Sequence, residues 1–163
     1  MIKRNQTGGW THLRTFKSLD DLALPMSDLN RFLKAQERSY DTALEEIRAA
    51  CKTSHWIWYV FPQLKGLGMS QMSEFYGIDG RDEAVAYIRH PVLGRRLVEI
   101  STALLNCGCS DPSVVLGFPD DLKVRSCMTL FEAVCPEERV FSQVLDNMYE
   151  GARDQKTLEL LRN

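Results

Sequence analysis

Between Ser54 and Gly68 the chain reads Ser-His-Trp-Ile-Trp-Tyr-Val-Phe-Pro-Gln-Leu-Lys-Gly-Leu-Gly, and five ring-bearing side chains, His55, Trp56, Trp58, Tyr59 and Phe61, fall within seven positions. An indole beside an imidazole can stack a planar ring such as a nucleobase or nicotinamide and hydrogen-bond its edge. In that chemistry His55 is the candidate base, Trp56 the stacking surface and Gln63, just beyond Pro62, a polar contact. The same run also suits a buried helix. On a helix His55 and Tyr59 are four apart and Trp58 and Phe61 three apart, so the segment is apolar nearly all round, the pattern of a central element. That places Ile57, Trp58, Val60 and Phe61 in the core and leaves His55, Trp56 and Gln63 at its edges.

Two further stretches carry polar groups at suggestive spacing. Gly66 to Ile78 places Gly-x-Gly ahead of a helix opened by Ser70, a turn that can cradle a phosphate, without the third glycine of a dinucleotide fingerprint or the lysine of a P-loop. The signal is weak, and a connecting loop is the favoured reading of it. Gly117 to Phe131 contains Asp120, Asp121, Lys123, Arg125 and Ser126. Acidic residues favour the positive end of a helix, which accounts for one aspartate; the other, Asp121, is a candidate base, with Lys123 and Ser126 as contacts. His90, before Pro91, either caps a helix through a ring nitrogen or faces a cleft. Arg95-Arg96 can clamp a phosphate or lie on a solvated face. No Gly-x-Ser-x-Gly elbow or His-Glu-x-x-His motif is present.

The elements that must position these residues read as helices. Ser27 suits an N-cap before Leu29, Phe32 and Leu33. Leu44, Ile47 and Cys51 give a helical face from about Asp41. Glu83 to Arg89 forms a short helix. Pro91 suits a first helical position, with Val92, Leu93, Leu97, Ile100 and Leu104 in one stripe. Asp111-Pro112 opens another short helix ending near Gly117. Asp120 to about Val134 turns Val124, Cys127, Met128 and Phe131 inward. Val140, Phe141, Val144, Leu145 and Met148 form the next face, and Asp154 caps a last helix bearing Leu158 and Leu161. The one strand-like stretch, Trp56 to Phe61, has no partner strand, and an unpaired strand leaves buried backbone groups unsatisfied. The expected fold is all-α, a compact multihelical domain of about seven to nine mostly short helices.

The bulk numbers agree. A chain of 163 residues with 44% hydrophobic and 26% charged residues suits one soluble domain. A net charge of −2 supplies no field that recruits nucleic acid or an anionic membrane, and no apolar run approaches the roughly 18 residues of a membrane span. Five cysteines, an odd number without small-scaffold spacing, point to reduced thiols and a cytoplasmic setting. Cys107 and Cys109 lack the partners of a zinc set. Neither a metal nor a cofactor is expected. Residues 1–25 show no sustained period; they read as an N-terminal extension, loosely attached or packing Trp10 and Phe16 on the body, ahead of a domain over 26–163.

The ordered segments "RFLKAQERSYDTALEEIRAACKTSHWIWYVFPQLKGLG", "YGIDGRDEAVAYIRHPVLGRRL", "DDLKVRSCMTLF" and "VLDNMYEGARDQKTLELL" resemble a bacterial family defined by the domain of unknown function numbered eighteen-ten. The resemblance runs from about Leu29 to Leu161. It implies a multihelical fold, of the kind seen in a mycobacterial member, and carries no reaction, cofactor or substrate. It points to a site drawn from His55, Trp56, Trp58, Pro62, Gln63 and Gly66 with Tyr76, His90, Asp121, Lys123 and Ser126. Two functions follow as expectations: a binder or enzyme for a nucleotide-like or ADP-ribose-like small molecule, with His55 and Asp121 catalytic and Trp56, Gln63, Tyr76, His90, Lys123 and Ser126 binding; or a non-catalytic protein-interaction or homodimerising domain.

Overall fold

The computed structural model describes residues 19–163, with side chains from Leu29 onward. The expectations for residues 1–18, including the packing of Trp10 and Phe16, lie outside the described residues. The chain divides into two compact units, Met1–Asn30 and Arg31–Asn163. Of the first, helical backbone is described from Leu19 to Asn30. The fold is all-α: among the described residues there are nine helices and no strand.

Helix α1, Leu19–Arg48, joins two segments that the sequence pattern separates. The residues between them, Lys34 to Arg38, are good helix formers with no glycine or proline to stop the chain, so one helix is continuous. Ser27, expected as an N-cap, lies inside it. Helix α2, Ile57–Val60, is a single turn ahead of Pro62; α3, Gln71–Tyr76, starts where Ser70 Oγ accepts the Ser73 N–H. Helix α4 spans Gly80–Arg89 and α5 Leu93–Leu105. The first helical hydrogen bond into α5 runs from the Gly94 N–H to the His90 carbonyl, while His90 Nδ1 accepts the N–H groups of Val92 at 3.1 Å and Leu93 at 3.3 Å. His90 is therefore a helix cap. Helix α6, Pro112–Leu116, is capped by Asp111, whose carboxylate accepts the Ser113 N–H. Gly117 ends it at φ +80°, a conformation that glycine adopts without strain. Helices α7, Asp120–Val134, α8, Val140–Met148, and α9, Gln155–Arg162, complete the chain.

Helix α7 is central to the second unit, packing on α2, α4, α6, α8 and α9. Its residues from Ser126 to Phe131 are buried without interruption, so it has no wide solvent face in that stretch. On α5 the stripe Leu93, Leu97, Ile100 and Leu104 is buried as its period requires, and all five apolar residues of α8 are buried against α5 and α7. A file of rings threads the core: Phe32 meets Tyr87 edge-on at 5.0 Å, Tyr87 meets Phe131 at 5.4 Å, and Phe131 meets Phe141 at 5.9 Å. Gln36, buried among them, donates to the Tyr59 carbonyl at 2.7 Å and the Tyr87 hydroxyl at 3.0 Å, and accepts from Arg96. All five cysteines are unpaired, and burial pushes the Cys127 thiol well up.

The segment that shapes the site is the loop from Gln63 to Ile78. Its neck is a lone parallel bridge: the Ile78 N–H donates to the Gln63 carbonyl and the Lys65 N–H to the Ile78 carbonyl, both at 2.9 Å. The two bridged segments approach so closely that a Cβ on Gly77 would sit 2.7 Å from Lys65 Cα. Arg31 clamps the loop from α1. Its Nε donates to the Phe75 carbonyl, one terminal nitrogen to the Gly77 carbonyl, and the fork pairs with Glu83 of α4 at 3.0 and 3.1 Å. Helix α3, carried at the tip, has no buried residue.

Candidate functional site

Glu46 of α1 determines how the aromatic run is presented. Its Oε1 accepts the N–H groups of Thr53 at 2.9 Å and Ser54 at 3.0 Å and the Trp56 indole N–H at 2.9 Å; its Oε2 accepts both hydroxyls of Thr53 and Ser54. Partial burial works against ionisation, yet these donors, Ser54 foremost, outweigh it and hold the carboxyl at about 2. The indole of Trp56 is thereby drawn into the core, fully buried and 6.2 Å from the Phe61 ring. Trp56 precedes the first residue of α2, so helical spacing does not govern it. Trp58 takes the opposite position from the core place its spacing suggests. It is half-buried, and Lys123 of α7 stands over its ring.

Around Trp58 lies a narrow cleft lined by Ile57, Phe61, Gln63, Ser73, Tyr76 and Lys123. The Lys123 ammonium stands 5.3 Å from the centre of the Trp58 ring, within cation–π range. The Trp58 Nε1 atom is buried and has no hydrogen-bond partner among the described residues. A buried donor of that kind costs about 1–3 kcal/mol unless something accepts from it. Tyr76 is fixed by its ring neighbours Tyr59 at 5.1 Å and Phe75 at 4.8 Å. Its hydroxyl pKa is raised, by burial first and by Tyr59 second, with Arg31 opposing, so Tyr76 is a neutral phenol. The enclosed space is about 10 Å³, room for a single water-sized group.

The cation of this cleft is held from behind. Lys52, whose side chain is almost wholly buried, pairs with Asp120 at 2.8 Å, and Asp120 reaches Lys123 at 3.5 Å. Lys52 also donates to the Ser54 carbonyl and lies 4.9 Å from the Trp56 ring. Asp120 is thus paired with Lys52 independently of Lys123.

Of the residues singled out in the sequence, the fold brings Gln63, Tyr76 and Lys123 together on Trp58. The others stand elsewhere. His55 is exposed on the preceding turn, Trp56 is in the core, and His90 caps α5. Asp121 is at the start of α7, where its carboxylate accepts the Leu122 N–H at 2.9 Å and its carbonyl accepts the Tyr149 hydroxyl at 2.7 Å. Ser126 is buried and donates to the Leu122 carbonyl one turn back. Sequence reading passed over Ser73, which lines the cleft, and Glu46 and Lys52, which position it; all three lie inside stretches that stand out in the sequence, but their partners are set only by the fold. Among the described residues no group of three or more histidine, cysteine or acidic side chains could hold a metal ion, and no helix is long and apolar enough to cross a membrane.

A second hollow adjoins the cleft through Tyr76. It is an open groove of about 630 Å³ along α3, lined by Met69, Gln71, Met72, Glu74 and Phe75. Met69 is 94% and Phe75 59% exposed, which is unusual for large apolar side chains gathered in one place.

The family model described as "Protein of unknown function (DUF1810)" matches residues 26–161. The crystal structure of the conserved hypothetical protein Rv1873 from Mycobacterium tuberculosis is similar at a TM-score of 0.82 and 41% sequence identity, over 83% of this chain and 97% of that one. No curated protein matches the chain. The family match covers nearly all of the second unit, and the neighbour has the same helical fold: this chain belongs to the DUF1810 family.

Proposed function

We propose that the Trp58 cleft is the binding site of a small molecule that carries a negative charge. The observation that carries this reading is the buried, unpartnered Trp58 Nε1–H beside the Lys123 ammonium. Lys123 stands over the same ring with Gln63, Ser73 and Tyr76 around it, and an anionic oxygen brought against both the donor and the cation would satisfy the two at once. The converging groups bind and orient. His55 and Asp121, the candidate bases, stand outside the cleft, so the reading is of a binder. A nucleotide-like or ADP-ribose-like ligand belongs to this class, with its anionic part on Lys123.

Titration of the ¹⁵N-labelled protein with acetate, inorganic phosphate, AMP, NAD and ADP-ribose tests the reading. At least one compound moves the Trp58 indole N–H resonance at millimolar concentration, and Lys123→Met weakens that compound about tenfold or more with little change in stability. An indole resonance that stays in place throughout the panel overturns it.

A second reading, an interaction domain that pairs with a second copy, rests on different residues. Val114, Phe118 and Leu122 recur every fourth position around the α6–α7 turn and are all exposed, Phe118 at 79%. Light scattering on the eluting protein decides this one: a dimer that Phe118→Ser converts to monomer supports it, and a monomer at all concentrations contradicts it.

A further inference from the structure

Resting on the reading of the Trp58 cleft as a ligand site, we infer that its ligand is an amphipathic monocarboxylate, with the carboxylate on Lys123 and Trp58 Nε1 and the apolar body along the α3 groove. Three features lead there. The first is charge. Lys52 and Lys123 share the carboxylate of Asp120, Lys52 at 2.8 Å and Lys123 at 3.5 Å, and Lys123, the less closely paired of the two, is the one cation among the residues lining the cleft. A single cation suits a monoanion better than a polyphosphate. Glu74 lines the groove and repels any second negative group placed along it.

The second feature is size. An enclosed space of about 10 Å³ admits one oxygen-sized group, so the head enters by a single oxygen and the remainder of the ligand lies outside. The third is continuity. Tyr76 lines both hollows, so a chain leaving the cleft passes over its ring and onto Met72, Phe75 and Met69. Methionines suit such a surface, because their flexible thioethers fit chains of differing shape. Lys123 supplies the charge complementarity at one end of an otherwise apolar track.

The test is a calorimetric series of acetate, butyrate, hexanoate and octanoate, with AMP and ADP-ribose alongside, on the full chain. Burial of each methylene against a half-open groove gains about twofold, less than the roughly fourfold of complete burial, so octanoate, with six more methylenes, binds about 60-fold tighter than acetate. The triple variant Met69→Ser, Met72→Ser, Phe75→Ser changes exposed side chains and leaves the fold intact; it reduces the chain-length dependence to below about threefold. Lys123→Met weakens every member of the series.

Three results overturn the inference. Octanoate binding equally well to the triple variant moves the apolar body off the groove. AMP or ADP-ribose binding through Trp58 while octanoate does not leaves the cleft as a ligand site and rejects the carboxylate. No compound binding removes the inference and the cleft reading together.

Discussion

Replacing Glu46 with alanine lowers the unfolding free energy by about 3 kcal/mol, with the loss read from urea denaturation. Five donors converge on this carboxylate, three from N–H groups and two from hydroxyls. Alanine leaves them without an acceptor, and the Trp56 indole nitrogen, inside the core, has no water to turn to. Glu46→Gln keeps one carbonyl oxygen and the shape of the side chain, so its loss is smaller than that of alanine. The effect also has a pH signature. The folded carboxyl titrates at about 2, against about 4.3 for an unfolded glutamate. A folded pKa below the unfolded one adds stability that is complete above the unfolded value and disappears as pH falls through the folded value. The contribution is therefore present at pH 5 and fades between about pH 4.3 and 2. After allowance for solvent screening at a partly exposed group it amounts to about 2 kcal/mol. Wild-type stability falls across that window more steeply than that of Glu46→Gln; parallel profiles contradict the assignment.

Gly94→Ala is the second large effect, a net loss of about 2–3 kcal/mol. Gly94 is buried in the first turn of α5, where the chain doubles back from α4. A Cβ there would lie 2.0 Å from the Ile88 carbonyl oxygen and 2.8 Å from its carbon. Both are backbone atoms, so relief requires α4 and α5 to separate. Alanine's better helix propensity returns about 1 kcal/mol, too little to offset the overlap. Gly80→Ala is the control. Its position is open, but its φ of +82° strains a side chain, so it loses about 1 kcal/mol. A Gly94→Ala variant as stable as wild type contradicts the packing described.

The legible parts of this fold are those written in short-range chemistry. Asp111-Pro112, Asp154 and His90 each name a helix start from residues one to three positions away, and α8 shows its buried face directly in Val140, Phe141, Val144, Leu145 and Met148. The continuous α1 was less legible, because its middle has helix formers but a weak apolar period. The two tryptophans exchanged their expected positions for a longer-range reason. Trp56 is turned inward by a carboxylate ten residues upstream, and Trp58 is only half-buried because α2 is one turn long. Within the site, Gln63, Tyr76 and Lys123 carry recognisable polar groups in distinctive motifs and can be named from sequence. Ser73 cannot, since its place depends on the Gln63–Ile78 bridge, nor can Lys52, whose role depends on where α7 begins.

The central claim is that the Trp58 indole N–H is held unpaired in the fold because a ligand accepts from it. Trp58→Phe tests this most directly, since phenylalanine keeps an aromatic ring beside Lys123 and removes the donor. Stability and affinity are measured on the same variant, using the compound that moves the Trp58 resonance furthest in wild type. The account predicts unfolding free energy unchanged or raised by up to about 1 kcal/mol, because a buried unsatisfied donor has been removed, together with an affinity loss of about tenfold or more. A variant that loses 2 kcal/mol or more, on the order of a core truncation, while binding the compound as wild type does would show Trp58 to be a packing residue and contradict the claim.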